Sequence, residues 1–137
     1  MTSAHQTLER LTEQAAQSGD LHRTQQIELG TSALEALNPF LATHRPDAAD
    51  LVVSDAHTWE AAGARVLETL RSGGRKVRSL ILEPRAGEDH VVCEDGVIAS
   101  LETLVATSDH INLVAVGSGS VNDICKVASY RRGLPYV

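Results

Sequence analysis

The chain has 137 residues, which suits one domain, and a hydrophobic content of 42%, which can build a core of ordinary size. Its formal net charge of -6 argues against a general binder of nucleic acids or membrane surfaces, and an aromatic content of 3% leaves no stacking platform for single-stranded nucleic acid. Two cysteines form neither a disulfide framework nor a zinc motif, and neither a signal region nor a membrane-spanning apolar run is visible, so we expect a cytoplasmic protein without membrane insertion.

The first part of the chain predicts a helix followed by a short strand. Residues 3–18 have helical spacing, with Leu8, Leu11 and Ala15 on one side and a stop at Gly19. The sequence therefore predicts an N-terminal helical appendage over residues 1–24, attached to a main domain at residues 25–137. Residues 26–29 are expected to form a short strand that ends at Gly30.

A helix is expected after this strand. Thr31 or Ser32 can cap it, and three leucines at helical spacing are predicted to face inward: Leu34, Leu37 and Leu41. Pro39 interrupts the pattern, so we expect a break near Asn38, which could itself cap the second piece.

The run Leu51–Val52–Val53 predicts a buried strand with Ser54 and Asp55 at its carboxyl end. A helix over residues 58–71 should follow and end at Ser72, Gly73 and Gly74. Its predicted buried residues are Trp59, Gly63, Val66, Leu67 and Leu70. The glycine at 63 suggests a close approach of this helix to the sheet.

The middle of the chain predicts a third strand and a further helix. Residues 77–82 alternate in the manner of a strand, while residues 84–95 are polar, with a possible short strand at 90–93. Residues 97–106 are predicted to form a helix. Its inward positions should be Val97, Leu101, Leu104 and Val105.

The last quarter of the chain predicts strand, glycine turn and helix in succession. Residues 113–116 form a continuous apolar run, and the chain then turns through Gly117, Ser118, Gly119 and Ser120. The helix that follows should bury Val121, Ile124, Cys125 and Ala128. Gly133 and Pro135 are its stop signals, and residues 135–137 are expected to start another strand.

The glycine turn is a candidate anion site. Glycines let the backbone approach a ligand closely, and a helix N-terminus offers unpaired N–H groups to a phosphate, so a dinucleotide pyrophosphate would fit. The motif is not GxGxxG, because Asn122 occupies the third glycine position, and it is not a P-loop, because no GK[ST] follows. A strand-to-helix turn that binds nothing is an equal alternative on this motif alone.

Strands that alternate with helices predict an α/β fold, a Rossmann-like doubly wound and mostly parallel sheet with flanking helices. Ligands bind such sheets at the carboxyl ends of the strands, so Asp55 and the turn at 117–120 can face one crevice. There Asp55 could accept hydrogen bonds from ribose hydroxyls and repel a 2'-phosphate, or it could cap the helix that follows. Both interpretations stay open.

Three segments together resemble a known family. The run AVGSGSVNDICKVASYRRGLPYV at 115–137 resembles the cofactor-loop segment of sn-glycerol-1-phosphate dehydrogenases, within the superfamily of iron-containing alcohol dehydrogenases, glycerol dehydrogenase and dehydroquinate synthase. IELGTSALEAL at 27–37 resembles the opening strand and helix of that family, and LVVSDAHTWEAAGARVLETL at 51–70 resembles its second strand and helix. The resemblance covers nearly all of the chain after about residue 25.

The resemblance implies an oxidoreductase that moves hydride between NAD(P)H and dihydroxyacetone phosphate, a small phosphate substrate. It assigns the cofactor pyrophosphate to Gly117, Ser118, Gly119 and Ser120. It assigns the adenosine ribose to Asp55, and positions near the nicotinamide and substrate to Asp123 and Lys126. NAD(H) and NADP(H) both remain open as cofactor, with Asp55 favouring NAD(H) or dual use.

In this family a second, mostly helical domain binds a divalent metal such as zinc, nickel or iron. The six histidines of this chain show no ligand spacing, so we predict no metal site within it. The sequence is therefore interpreted as the NAD(P)-binding domain alone, without its C-terminal metal-binding domain. We expect it to be inactive by itself, to require that missing domain as its partner, and to form a homo-oligomer.

Several structural alternatives remain open. Ser120 and Asp123 fit a capping box, and Asp123 and Lys126 could form a surface ion pair. Arg131 and Arg132 lie at the far end of the helix and are left out of the site. At the level of function, the alternatives are a related glycerol or alcohol dehydrogenase and a stand-alone, non-catalytic nucleotide-binding module.

Overall fold

The computed structural model describes residues 4–17, 24–108 and 110–137, and the chain divides into two compact units, residues 1–36 and 37–137. The first unit contains helix α1, Ala4–Gln17, and a 3-10 turn at Ala33–Ala36. The stop predicted at Gly19 lies outside the described residues, as do the side chains of Leu8 and Ala15. Leu11 on α1 is exposed.

The strand predicted at residues 26–29 is absent, and that prediction was wrong. Residues 24–29 have no regular structure, and the side chains of Ile27 and Leu29 are exposed. A strand exists only where a neighbour completes its hydrogen-bond ladder, and a local apolar pattern does not specify that neighbour.

Helix α2, Leu37–His44, opens the second unit, directly after the 3-10 turn. The break that we predicted near Asn38 therefore lies one residue earlier, between Ala36 and Leu37, where 3-10 geometry changes to α-helical geometry. Pro39 lies in the first turn of α2, where a proline costs no hydrogen bond. Asn38 does not cap the helix; its Nδ2 donates to the carbonyl of Thr69, 2.7 Å away. Leu41 is fully buried, as predicted.

Three parallel strands form the sheet, in the order β2-β1-β3. They are β1, Ala49–Asp55; β2, Val77–Leu82; and β3, Ile111–Ala115. A parallel bridge between Leu113 and Tyr136 adds the start of the further strand predicted at 135–137. Since β1 is the central strand, it is buried from residue 50 to residue 54.

Helices cover both faces of the sheet, as the predicted α/β doubly wound fold requires. Leu51, Val53 and Leu113 point to one face and pack with two helices, α5, Asp95–Val105, and α6, Gly119–Arg132. The alternate residues Val52 and Val114 point to the other face, where α2 packs against the helical run that follows β1. No helix in the described ranges is long and apolar enough to cross a membrane.

The helical run after β1 starts earlier than predicted and changes geometry within its length. It consists of α3, Ala56–Thr58, a π turn at Trp59–Gly63 and α4, Ala64–Ser72. Gly63, Val66 and Leu70 are buried as predicted, whereas Trp59 and Leu67 are only half-buried.

Helix α5 confirms three predicted inward positions and corrects a fourth. Leu101 and Val105 are buried and Val97 packs at the edge of the core, but Leu104 is 46% exposed. Ile98, which we had not placed inward, takes a buried position instead. The inward face of α5 is therefore set by its packing on α6, which the apolar pattern of α5 alone does not reveal.

The strand predicted at residues 90–93 is also absent, and this prediction was wrong. Val91 is buried against the core, but its backbone belongs to a loop over residues 83–94. An ion pair between the Arg85 guanidinium and the Glu94 carboxylate joins the two ends of that loop. The buried valine thus anchors a loop, which explains its apolar character without a strand.

At the amino edge of the sheet, a buried ion pair links residues that are distant in sequence. The Asp50 carboxylate accepts from Nε and Nη2 of Arg75, and its Oδ1 also accepts from Nδ2 of Asn112 at 2.8 Å. Nη2 of Arg75 further donates to the carbonyls of Arg45 and Ala48, at 3.1 and 3.2 Å. Both charged side chains are almost fully buried, so each depends on the other for its partner.

Candidate functional site

The carboxyl ends of β1 and β3 lie side by side in the sheet. The carbonyl of Val53 in β1 accepts from the N–H of Val116, which follows β3, at 2.8 Å. Because Val53 pairs with Ala115, Asp55 and Gly117 each stand two residues beyond this pair, on adjacent strands. The chain leaves β1 toward β2 on one side, while β3 lies on the other. This reversal of strand order is where doubly wound sheets open a ligand crevice.

Two glycines in the turn after β3 have different surroundings. A Cβ on Gly117 would lie 2.7 Å from the Cβ of Val121, so a side chain there would displace the first turn of α6. A Cβ on Gly119 would meet nothing within 4 Å, and Gly119 has no positive φ. The fold therefore requires the glycine at 117 but not the one at 119, where glycine leaves the backbone open to solvent.

The N-terminus of α6 carries no side-chain cap. Ser118 is the N-cap residue, with extended backbone angles, and its side chain makes no capping hydrogen bond. The capping box considered for Ser120 and Asp123 is therefore not formed, because the helix begins two residues earlier than that interpretation needs. The first-turn N–H groups of α6 are left for solvent or for an anion.

Asp55 caps the helical run that follows β1. Its Oδ1 accepts from the N–H of Thr58 at 2.8 Å, and the Thr58 hydroxyl accepts from the N–H of Asp55 at 3.0 Å. This reciprocal arrangement is the structural alternative that we had weighed. Within the described part of the chain, Oδ2 of Asp55 has no hydrogen-bond partner, so the cap leaves one carboxylate oxygen available at the crevice.

Asp123 and Lys126 are both exposed on α6, and no ion pair joins them among the described residues. The surface ion pair considered for them is therefore not formed. Asp123 lies close enough to Cys93, in the loop at 83–94, to affect its ionisation. Partial burial, Asp123 and Asp95, in that order, raise the pKa of the Cys93 thiol. Burial also raises the pKa of Cys125 to about 12, which fits a thiol that serves as a core residue.

Sequence reasoning missed two features beside the crevice. Ser54 is fully buried at the penultimate position of β1, and its hydroxyl has no partner in the described part of the chain. The indole of Trp59 lies over Gly63, within the π turn. The spacing of tryptophan and glycine four residues apart was a visible signal for this contact, because such pairs share a helix face.

A concavity of about 370 Å³ lies at the opposite, amino edge of the sheet. Asn38, Asp47, Gly73, Arg75 and Lys76 are among its lining residues. The Arg75 guanidinium is already paired with Asp50, and the lining holds one further carboxylate, Asp47, for one further cation, Lys76. This edge therefore lacks the excess of positive charge that a phosphate site needs, and the carboxyl edge is the better candidate.

A metal ligand set was also tested against the structure. Among residues 4–17, 24–108 and 110–137, no three His, Cys, Asp or Glu side chains come together in a way that could hold a metal ion. The described residues therefore do not fit a resident divalent metal.

Comparisons with known proteins bear on the family of this chain. The family model described as iron-containing alcohol dehydrogenase matches residues 28–137. A glycerol-1-phosphate dehydrogenase [NAD(P)+] of Bacillus velezensis is 32% identical over 114 residues, which cover 81% of this chain and 27% of that protein. One of Geobacillus stearothermophilus is 27% identical over 139 residues, covering 97% of this chain and 33% of the relative. The chain thus spans about a third of the length of these curated relatives.

Proposed function

Because the chain belongs to the iron-containing alcohol dehydrogenase family, we propose that it binds NAD(H) or NADP(H) in the crevice at the carboxyl edge of its sheet. The proposed reaction is hydride transfer between NAD(P)H and dihydroxyacetone phosphate, since relatives with this segment are named glycerol-1-phosphate dehydrogenases. The proposal of a nucleotide site rests mainly on one observation. Gly119 stands where the fold does not require a glycine, at the uncapped start of a 14-residue helix.

The crevice residues fit a dinucleotide by their chemistry. The first-turn N–H groups of α6 would hold the pyrophosphate, and Gly119 would let it approach the backbone, with Gly117, Ser118 and Ser120 completing the turn. The free Oδ2 of Asp55 would accept from a ribose hydroxyl. Lys126 would attract the substrate phosphate, and Asp123 would lie beside the nicotinamide. A bound reduced nicotinamide supplies the hydride.

The family's description names iron, but none of the crevice residues is assigned to a metal. Because the described residues offer no ligand set for one, no step proposed here passes through a metal. We therefore expect this polypeptide to bind nucleotide without turning over dihydroxyacetone phosphate, and we propose that turnover needs further protein, as the greater length of the relatives suggests. A homo-oligomeric state is also part of the proposal.

Gly119→Val tests the nucleotide site. The valine side chain has free space in the unliganded fold and would occupy the position that the pyrophosphate needs. We expect NADH binding, followed by nicotinamide fluorescence or calorimetry, to be lost, while the urea midpoint stays at or above the wild-type value because valine is the better helix former.

Gly96→Val is the control, since Gly96 also lies in the first turn of a helix, and α5 carries none of the residues assigned to the nucleotide. Its affinity for NADH should equal that of the wild-type chain. Saturable NADH binding that survives in Gly119→Val, or a folded wild-type chain that binds neither NADH nor NADPH, would contradict the proposal.

Asp55→Asn separates the two roles of Asp55. Asparagine caps a helix as well as aspartate does, so we expect little change in the urea midpoint. A hydrogen bond to a carboxylate is worth about 1.5–3 kcal/mol, so the dissociation constant for NADH should rise by roughly tenfold or more. The preference for NADH over NADPH should shrink, because the charge that repels a 2'-phosphate is gone.

Thr58→Val provides the complementary control, because it removes the hydroxyl that accepts from Asp55 N–H and leaves the carboxylate in place. It should lower stability and preserve NADH affinity. If Asp55→Asn bound NADH with the affinity of the wild type, and NADPH likewise, Asp55 would serve only as a cap.

A further inference from the structure

The side chain of Val121 packs against the turn that follows β3. A Cβ on Gly117 would stand 2.7, 2.9 and 3.3 Å from the Cβ, Cγ2 and Cγ1 atoms of Val121. Residues four positions apart within a helix keep their Cβ atoms about 5–6 Å apart, so this approach is much closer than helical geometry gives. Gly117 precedes α6, and its backbone is folded down onto the valine side chain.

The turn is held at both of its ends. Before it, the N–H of Val116 donates to the carbonyl of Val53 in β1, at 2.8 Å. After it, Val121 is 1% exposed and belongs to the hydrophobic core. Between these points the Ser118 side chain makes no capping hydrogen bond. The place of the turn is therefore set by the end of the strand and by the valine on which the turn rests.

We propose that Val121 is a positioning residue for nucleotide binding, because its branched side chain sets where the N–H groups of the turn stand. This inference rests on the proposed function and deepens it, since those N–H groups are the ones assigned to the pyrophosphate. Val121 is buried and acts through the backbone above it, without touching the nucleotide. A residue without the two γ carbons leaves a void under Gly117, and a hydrogen bond to the pyrophosphate weakens when its donor is displaced.

Val121→Ala tests this role, because it removes the two γ carbons and keeps the Cβ. Loss of a hydrogen bond to a charged group weakens binding by about tenfold or more, so the dissociation constant for NADH should rise by that factor. The dissociation constant for NADPH should rise by the same factor, since both nucleotides contain the pyrophosphate. Nicotinamide fluorescence or calorimetry provides the measurement.

Val105→Ala is the matched control. It removes the same atoms from a valine that is also 1% exposed in the same core, on helix α5. It should lower the urea midpoint, as any buried valine-to-alanine change does, and leave both dissociation constants within about twofold of wild type. The comparison of the two variants therefore separates the position of the turn from the stability of the core.

Val121→Thr separates shape from stability at the same position. Threonine keeps the branched shape of valine but places a hydroxyl in apolar surroundings, so the urea midpoint should fall. The affinity for NADH should stay within about twofold of wild type. If Val121→Ala does not fold, Val121→Leu replaces it, because leucine keeps the apolar volume with a single γ carbon. It should bind NADH more weakly than Val121→Thr does.

The amide resonances of Ser118 and Gly119 follow the turn itself, without nucleotide. They should shift in Val121→Ala and keep their positions in Val105→Ala. Unchanged resonances in both variants would contradict the proposal, because the turn would then not depend on the valine beneath it.

The binding outcomes separate the two proposals. A wild-type chain that binds neither NADH nor NADPH overturns the proposed function and this inference together. A wild-type chain that binds NADH, with unchanged affinity in folded Val121→Ala, overturns the inference alone. Equal losses of affinity in Val121→Ala and Val105→Ala also overturn it, because stability would then control binding. A loss in Val121→Thr as large as in Val121→Ala does the same, because the shape of the side chain would not matter.

Discussion

Replacing Asp50 with alanine should lower the free energy of unfolding by about 3–5 kcal/mol, as measured by urea denaturation. Asp50 is 1% exposed and accepts from Arg75 and from Asn112. Without its carboxylate, the guanidinium of Arg75 stays buried with an uncompensated charge, and the amide of Asn112 loses its acceptor. The loss comes mainly from these stranded partners and not from the attraction that the pair had supplied.

A double-mutant cycle tests whether the loss of stability in Asp50→Ala comes from the buried Arg75 guanidinium that is left unpaired. Asp50→Ala should cost much less in an Arg75→Met background, because no buried cation is then left without a partner. Asp47→Ala, an exposed carboxylate near the same edge, should stay within about 0.5 kcal/mol of wild type. An equal cost of Asp50→Ala in both backgrounds would show that the ion pair is not what the substitution disrupts.

Leu101→Ala should cost about 2–5 kcal/mol in the free energy of unfolding, whereas Leu104→Ala should cost no more than about 1 kcal/mol. Both residues lie on α5, three positions apart, and both substitutions change helix propensity by the same amount. Leu101 is 1% exposed inside the core and Leu104 is 46% exposed. The difference between the two variants therefore measures burial alone.

Urea denaturation of the two variants, with the slope of the transition checked for equality, provides the measurement. Equal losses would mean that Leu104 is covered in solution by another surface. A loss at Leu101 below about 1 kcal/mol would mean that the core around α5 can collapse into the cavity.

The strands at the centre of the sheet could be predicted because their apolar runs are buried on both sides. Leu51 to Val53 and Leu113 to Val116 are recognisable without any knowledge of their neighbours. The strands predicted at 26–29 and 90–93 failed because a strand requires a pairing partner, and pairing is not a local property. The prediction that Leu104 faces inward failed for a related reason, since the face that α5 buries is set by α6.

The location of the candidate site could be predicted from one rule of parallel sheets, but its detailed geometry could not. Parallel strands bring their carboxyl ends to one edge, so Asp55 and the turn at 117–120 could be placed together from sequence alone. The different demands at Gly117 and Gly119 could not, because they depend on whether Val121 lies beneath the missing Cβ. The Asp50–Arg75–Asn112 network was equally invisible, since its members are brought together only by the sheet.

The position of β1 at the centre of the sheet also bears on the order in which this protein folds. Its two neighbours are reached by parallel crossovers of unequal length, and the contact between Asp50 and Asn112 spans 62 positions of sequence. Long crossovers close late, because loop-closure entropy is lost before the contacts that reward it form. We therefore expect the crevice between β1 and β3 to be completed late in folding. A nucleotide that bound there would select chains whose topology is already complete, so it would stabilise the finished fold without accelerating its assembly.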